Sequence, residues 1–149
     1  MSFVENRRQF GRSALVSCLA ALAANTTAGA AWAQSTSAAA SSRREVMKQA
    51  LPGEPERELT LIEVTYPPGT GSPAHLHANG VAAFVVSGAI ASQVGDGPEQ
   101  TYHAGDAWWE PPGAVHRVSR NASTAEPATL LAIYIAPPAA TAADLMKPI

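Results

Sequence analysis

Residues 44–138 of this 149-residue chain read as one all-β barrel, on three observations. Runs of strand length rich in Val, Ile, Thr and aromatic residues recur along the segment. Pro-Gly and Gly-Asp clusters separate them. Only residues 44–51 carry an apolar pattern that suits a helix. Short strands at regular spacing with such punctuation build a sandwich or a barrel. The first strand is 59–66, Leu-Thr-Leu-Ile-Glu-Val-Thr-Tyr, stopped by Pro67-Pro68-Gly69. Residues 81–87 form a continuous apolar run suited to a buried strand and end at Gly88; 89–94 follow, closed by the turn Gly95-Asp96-Gly97-Pro98. Strands at 101–103 and 107–110 are divided by Gly105-Asp106 and followed by Pro111-Pro112-Gly113. Strands at 115–119 and 129–136 complete the set.

The ends read differently. Residues 1–33 have the parts of a cleaved export signal: a basic stretch around Arg7, Arg8 and Arg12, an apolar run over 13–24, and the small-residue site Ala31-Trp32-Ala33. Arg7-Arg8 with Phe10 two places on is the twin-arginine form, so the expected destination is the periplasm or the cell exterior. The apolar run is shorter than the roughly 20 residues of a membrane span, and no stable anchor is expected after cleavage. Cleavage after Ala33 takes away Cys18, the single cysteine, with Glu5 and the three arginines. It leaves 116 residues, enough for one domain, at a formal charge of −4. No basic cluster survives, which excludes nucleic acid and anionic membrane as expected partners and leaves a small molecule. Residues 34–43, rich in Ser and Ala, read as a flexible leader, and 139–149 as a C-terminal tail.

The chemistry concentrates in the histidines. His75 and His77 stand at i and i+2, so on a strand they point the same way. His116 from a distant strand completes a facial set of imidazoles, the donors that hold one divalent transition metal and leave positions open. Fe, Mn, Ni, Zn and Cu all suit such donors, Mn least. His103, ending a strand before Gly105, is assigned to the surface or a turn. Glu110 precedes Pro111 in a strand that otherwise reads Trp-Trp. Its carboxylate either faces solvent or aims at the barrel mouth, where it would hydrogen-bond a metal-bound histidine or act as a catalytic base. Trp108 and Trp109 point to opposite faces, one packing inside and the other covering an interface or the rim. Gln93 is a candidate polar group of the cavity. Val81, Phe84, Val86 and Ile133 are candidates for its apolar wall.

These residues fall into two spaced motifs. Gly69, five residues, His75-Leu76-His77, Val81 and Gly88 make the first; Gly105, five residues, Pro111, Gly113 and, after two more, His116 make the second. In this the chain resembles the small single-domain type-2 members of the cupin superfamily, over roughly 44–136. The resemblance implies a double-stranded β-helix, or jelly-roll, barrel with one divalent metal at the motif histidines, and a homodimer. The asparagine that usually closes the second motif falls one place late, at Asn121, with Arg120 in its position. Val81 stands where the family has a glutamate, so the implied ligand set shrinks to His75, His77 and His116. Three imidazoles still hold a divalent ion and leave room on it for a bidentate substrate plus dioxygen. The expected activity is therefore that of a metal-dependent dioxygenase or related oxidoreductase acting on a small organic acid or phenol-like compound. The alternatives are a non-catalytic ligand-binding or sensing barrel, and a metal-dependent isomerase or lyase with Glu110 as base.

Overall fold

A computed structural model describes residues 40–149; the export signal expected over 1–33 lies outside the described residues. The chain runs through β1 (Ser42–Leu51), β2 (Glu54–Tyr66), β3 (Gly71–Ser72), β4 (His75–Leu76), β5 (Val81–Ser87), β6 (Ala89–Val94), β7 (Gln100–His103), β8 (Ala107–Glu110), β9 (Val115–Asn121), β10 (Ala128–Ala136), the single helical turn α1 (Ala142–Leu145) and β11 (Lys147–Pro148). One sheet has the order β1-β2-β10-β5-β8. The other has β11-β4-β9-β6-β7, with β3 also paired to β9. The pairings are antiparallel, and the two sheets face each other across a core that includes Val64, Tyr66, Val85, Ile90 and Leu130. This is the double-stranded β-helix barrel that the sequence predicts.

Strand parity decides what reaches the interior, because successive side chains face opposite sides. In β5, Val81, Ala83 and Val85 are buried, whereas Phe84 and Val86 are exposed; in β10, Leu130, Ala132 and Tyr134 are buried and Ile135 is exposed. The register fixes this: Ala83 lies opposite both Ala132 and Trp108, so their neighbours Phe84, Ile133 and Trp109 take the outer face. Phe84, Val86 and Ile133 are therefore not cavity wall. Their size suggested the interior, but their parity places them outside.

Two further expectations change. Residues 44–51 form no helix; they lie in β1, paired along nearly all of β2, where Arg44–Glu63 and Lys48–Glu58 ion pairs bridge the strands at 3.0 and 3.1 Å. Surface pairs of this kind contribute little, so the backbone ladder with β2 is what overrides the local pattern. The tail is also built in. After Thr141, whose N–H and hydroxyl both donate to Asp144, α1 brings Leu145 into the core, and β11 pairs with β4. Gly80 makes the turn between β4 and β5 at φ +73°. A Cβ there would stand 2.8 Å from the Trp109 ring and 2.9 Å from the Glu110 carbonyl, so no other residue fits without moving β8.

Candidate metal centre

Four side chains meet inside the barrel. His75 and His116 are directly paired across β4 and β9, and Glu110 at the end of β8 is paired with Val81 at the start of β5. His77 follows β4, and its carbonyl accepts from Gly113 N–H at 2.8 Å and Gly80 N–H at 3.3 Å, so the loops of both motifs pin it. His75, His77, Glu110 and His116 are each at most 4 % exposed, and one donor atom from each lies within 4.8 Å of the others.

The hydrogen bonds fix which atoms converge. His75 Nδ1–H donates to the Pro73 carbonyl at 2.7 Å and His77 Nδ1–H to the Leu145 carbonyl at 2.5 Å. A carbonyl only accepts, so each neutral ring keeps its lone pair on Nε2, and these two nitrogens stand 3.1 Å apart. Two lone pairs at that distance call for a cation between them. A proton is disfavoured, since burial lowers His75 to about 4 and pulls His77 down as well. On the other side, Ser92 Oγ lies 2.8 Å from His116 Nε2; with that nitrogen donating, Nδ1 turns its lone pair toward Glu110 Oε2, 3.0 Å away. His116 Nδ1 and Glu110 Oε2 are both buried without a hydrogen-bond partner, which is costly unless something positive joins them. Glu110 Oε2 is also 3.5 Å from His77 Nε2, while Oε1 accepts from Trp108 Nε1–H at 3.0 Å. Three imidazole nitrogens and one carboxylate oxygen thus face a common point with their outward atoms already held, the arrangement that orients metal ligands. The residues fit a divalent transition metal.

The carboxylate that the motif lacks at Val81 is supplied by its cross-strand neighbour. Glu110 is not solvent-facing: its carboxylate lies within the donor cluster. Val81, buried beside it, does line the cavity. Gln93 does not: its amide donates to the Gly97 carbonyl at 2.9 Å, and Ser92, one residue earlier, faces inward instead. A register shift between Gln93 and Val94 leaves Arg117 unpaired in β9, so that both His116 and Ser119 are buried although three residues apart. Ser119 and Ser72 flank the Tyr66 hydroxyl at 2.9 and 2.6 Å. His103 is exposed, as expected, and Asn121 is buried, donating to the carbonyls of Tyr66, Pro67 and Glu126. The cavity over the cluster is about 30 Å³, about the share of one water molecule in the liquid.

A barrel of two antiparallel sheets with histidines and a carboxylate converging inside is the architecture of cupins. Residues 62–134, just under half of the chain, match the family described as "Cupin domain". Among solved structures it is similar to the protein TT1209 from Thermus thermophilus (27 % identity, 66 % of this chain and 84 % of that one, TM-score 0.53). It is also similar to a conserved protein with a double-stranded β-helix domain from Klebsiella pneumoniae (24 %, 68 % and 81 %, 0.52) and to the DMSP lyase DddQ from Ruegeria pomeroyi (20 %, 69 % and 50 %, 0.54). These likenesses establish the fold and not the reaction. No curated protein matches the chain in sequence.

Two expected results follow from the hydrogen bonds and the burial. Trp108→Phe removes the N–H on Glu110 Oε1 and should lower metal affinity roughly 10-fold, the scale of losing an outer partner of a ligand. Competition with a chelator reads it, and unchanged affinity would remove Trp108 from the site. In metal-free protein, folded His75 stays neutral down to about 4 while the unfolded chain takes a proton near 6.5. Its linkage is therefore absent above pH 6.5, and stability should fall as pH drops from 6.5 toward 4. Urea unfolding of chelator-treated protein across that range tests the sign; a profile rising toward acid pH would contradict it.

Proposed function

We propose that the protein is an exported metalloenzyme whose single divalent ion, held by His75, His77, His116 and Glu110, supports dioxygen-dependent oxidation of a small organic substrate. The observation that carries the reading is the pair of buried, partnerless atoms, Glu110 Oε2 and His116 Nδ1, facing the two convergent Nε2 lone pairs. A transition ion there would supply a Lewis acid and a redox centre. The chain's own part is to hold the ligands, exclude water with Val81, Val64, Leu130 and Ala132, and close the mouth with Arg43 and Met146.

Oxidation is favoured over isomerase or lyase chemistry by what the cavity lacks. With His75, His77, His116 and Glu110 committed to the cluster, no other carboxylate or imidazole among the described residues lines it. Tyr134, beside His77, is held above its usual phenol range by burial and so stays protonated, a donor and a poor base. Proton abstraction would need a base that this wall does not offer.

The test is elemental analysis of the mature protein beside the His75→Ala/His77→Ala variant, followed by oxygen uptake with Fe(II) on a panel of small acids, catechols and diketones. About one ion per chain, lost in the variant, with metal-dependent uptake supports the reading. Equal, substoichiometric metal in both proteins overturns it in favour of a ligand-binding barrel. Metal without uptake overturns the oxidation alone. The export reading rests on Arg7-Arg8 and Ala31-Trp32-Ala33 and is tested by cell fractionation of an Arg7→Lys/Arg8→Lys variant. The homodimer belongs to this reading too; Trp109, 56 % exposed beside Phe84 on the outer face, is the residue to change while following sedimentation.

A further inference from the structure

A second chamber of about 220 Å³ adjoins the cluster, its walls formed by Ile62, Val64, Leu145 and Met146, with Arg43, Arg44 and Glu45 from β1. Arg43, Val64, Tyr134 and Met146 line both spaces, so Arg43 stands at the partition between them. Its guanidinium is under-used. It donates to Ser72 Oγ at 2.8 Å and to Met146 Sδ at 3.4 Å, the second a weak acceptor. Arg44, Arg57, Arg117 and Arg120 each have a carboxylate within reach; among the described residues Arg43 has none. An arginine fork with free donors beside an apolar chamber matches a carboxylate in charge and geometry.

We propose that this chamber binds a small organic monocarboxylate, with its acid group on Arg43 beside the histidine cluster and its apolar body against Ile62, Val64, Leu145 and Met146. As the identity of the substrate this rests on the metalloenzyme reading; as a binding site it needs only the chamber. Size follows from volume: a cavity of about 150 Å³ holds benzene, so the chamber takes an acid on a ring or a chain of that bulk. Polarity sets a second limit. Glu45 shares a face of β1 with Arg43, opposite Ile62 as Arg43 is opposite Val64. A second carboxylate at the far end of the ligand would meet Glu45, and the neighbouring Arg44 is already paired with Glu63, so diacids are rejected.

The experiment is calorimetric titration of the metal-loaded and the chelator-treated protein with benzoate and hexanoate, their neutral amides, and the diacids terephthalate and adipate. At least one monoacid should saturate at about one per chain, with its amide and the Arg43→Met variant weaker by roughly 10-fold or more at unchanged metal content and melting temperature. Arg43→Lys should recover part of the loss, and Glu45→Gln should admit a diacid. Equal affinity for acid and amide, or undiminished binding by Arg43→Met, overturns the proposal. So does acid binding that needs metal and ignores Arg43, since the ligand then sits on the ion, and so does failure of both monoacids to bind at millimolar concentration. Loss of the metal-centre reading would instead appear as protein without metal that still binds the acid through Arg43.

Discussion

Glu110→Val is expected to strip the protein of its metal, and adding Val81→Glu to that variant is expected to restore it. The two residues are direct partners across β5 and β8, both at most 3 % exposed and both turned inward. Side chains so paired have Cβ atoms about 5 Å apart, so a carboxylate from either strand reaches the same region of the barrel. The single variant removes the oxygen that faces His116 Nδ1 at 3.0 Å and His77 Nε2 at 3.5 Å, and leaves Trp108 N–H buried without its acceptor. The stranded donor costs about 1–3 kcal/mol. Metal affinity should fall by more than the roughly 10–100-fold that an outer partner is worth. Val81→Glu alone sets two carboxylates side by side, so that without metal one of them holds a proton and stability near neutral pH declines. Elemental analysis and melting with and without chelator separate these cases. Full metal content in Glu110→Val would mean that three imidazoles suffice and that Glu110 is a bystander.

That exchange also explains what the sequence hid. His75, His77 and His116 are legible because the i, i+2 spacing and the two motifs place them with no knowledge of pairing. Glu110 is not, because its role depends on β8 lying beside β5, and strand neighbours cannot be read from one strand. A partial signal existed: Trp108 and Glu110 share parity, so a Trp108 that packs inside carries Glu110 with it. Parity also separates Val81 from Phe84 and Ile133, for which side-chain size pointed the wrong way. Ser92 was masked by the longer Gln93, and the register shift near Val94 breaks the alternation that would have corrected it. β1 carries so many charges that its pairing with β2 is a tertiary outcome. The tail had one readable cue, Thr141 followed three residues later by Asp144 at the start of α1.

Ending the chain after Thr141 is expected to weaken metal binding, whereas Leu145→Ala is expected to weaken only the fold. The contrast arises because Leu145 acts twice, through different atoms. Its side chain is 8 % exposed and joins the core, so truncation to alanine belongs to the range of about 2–5 kcal/mol for such changes. The lower end applies, since Leu145 already borders the chamber beside Arg43 and has fewer neighbours to lose. Its backbone carbonyl accepts from His77 Nδ1 and so holds the ring in the tautomer that offers Nε2 to the cluster. Alanine keeps that carbonyl, and folded Leu145→Ala protein should retain its affinity within about 2-fold, while the shortened chain should lose roughly 10–100-fold. The pairing of β11 with β4, at Leu76 and His75, is lost in the same truncation, which loosens a second ligand at its backbone. Chelator competition on both proteins, at a temperature where melting shows each to be folded, decides between the two roles. An affinity loss of equal size in Leu145→Ala would mean that packing, and not the carbonyl, positions His77.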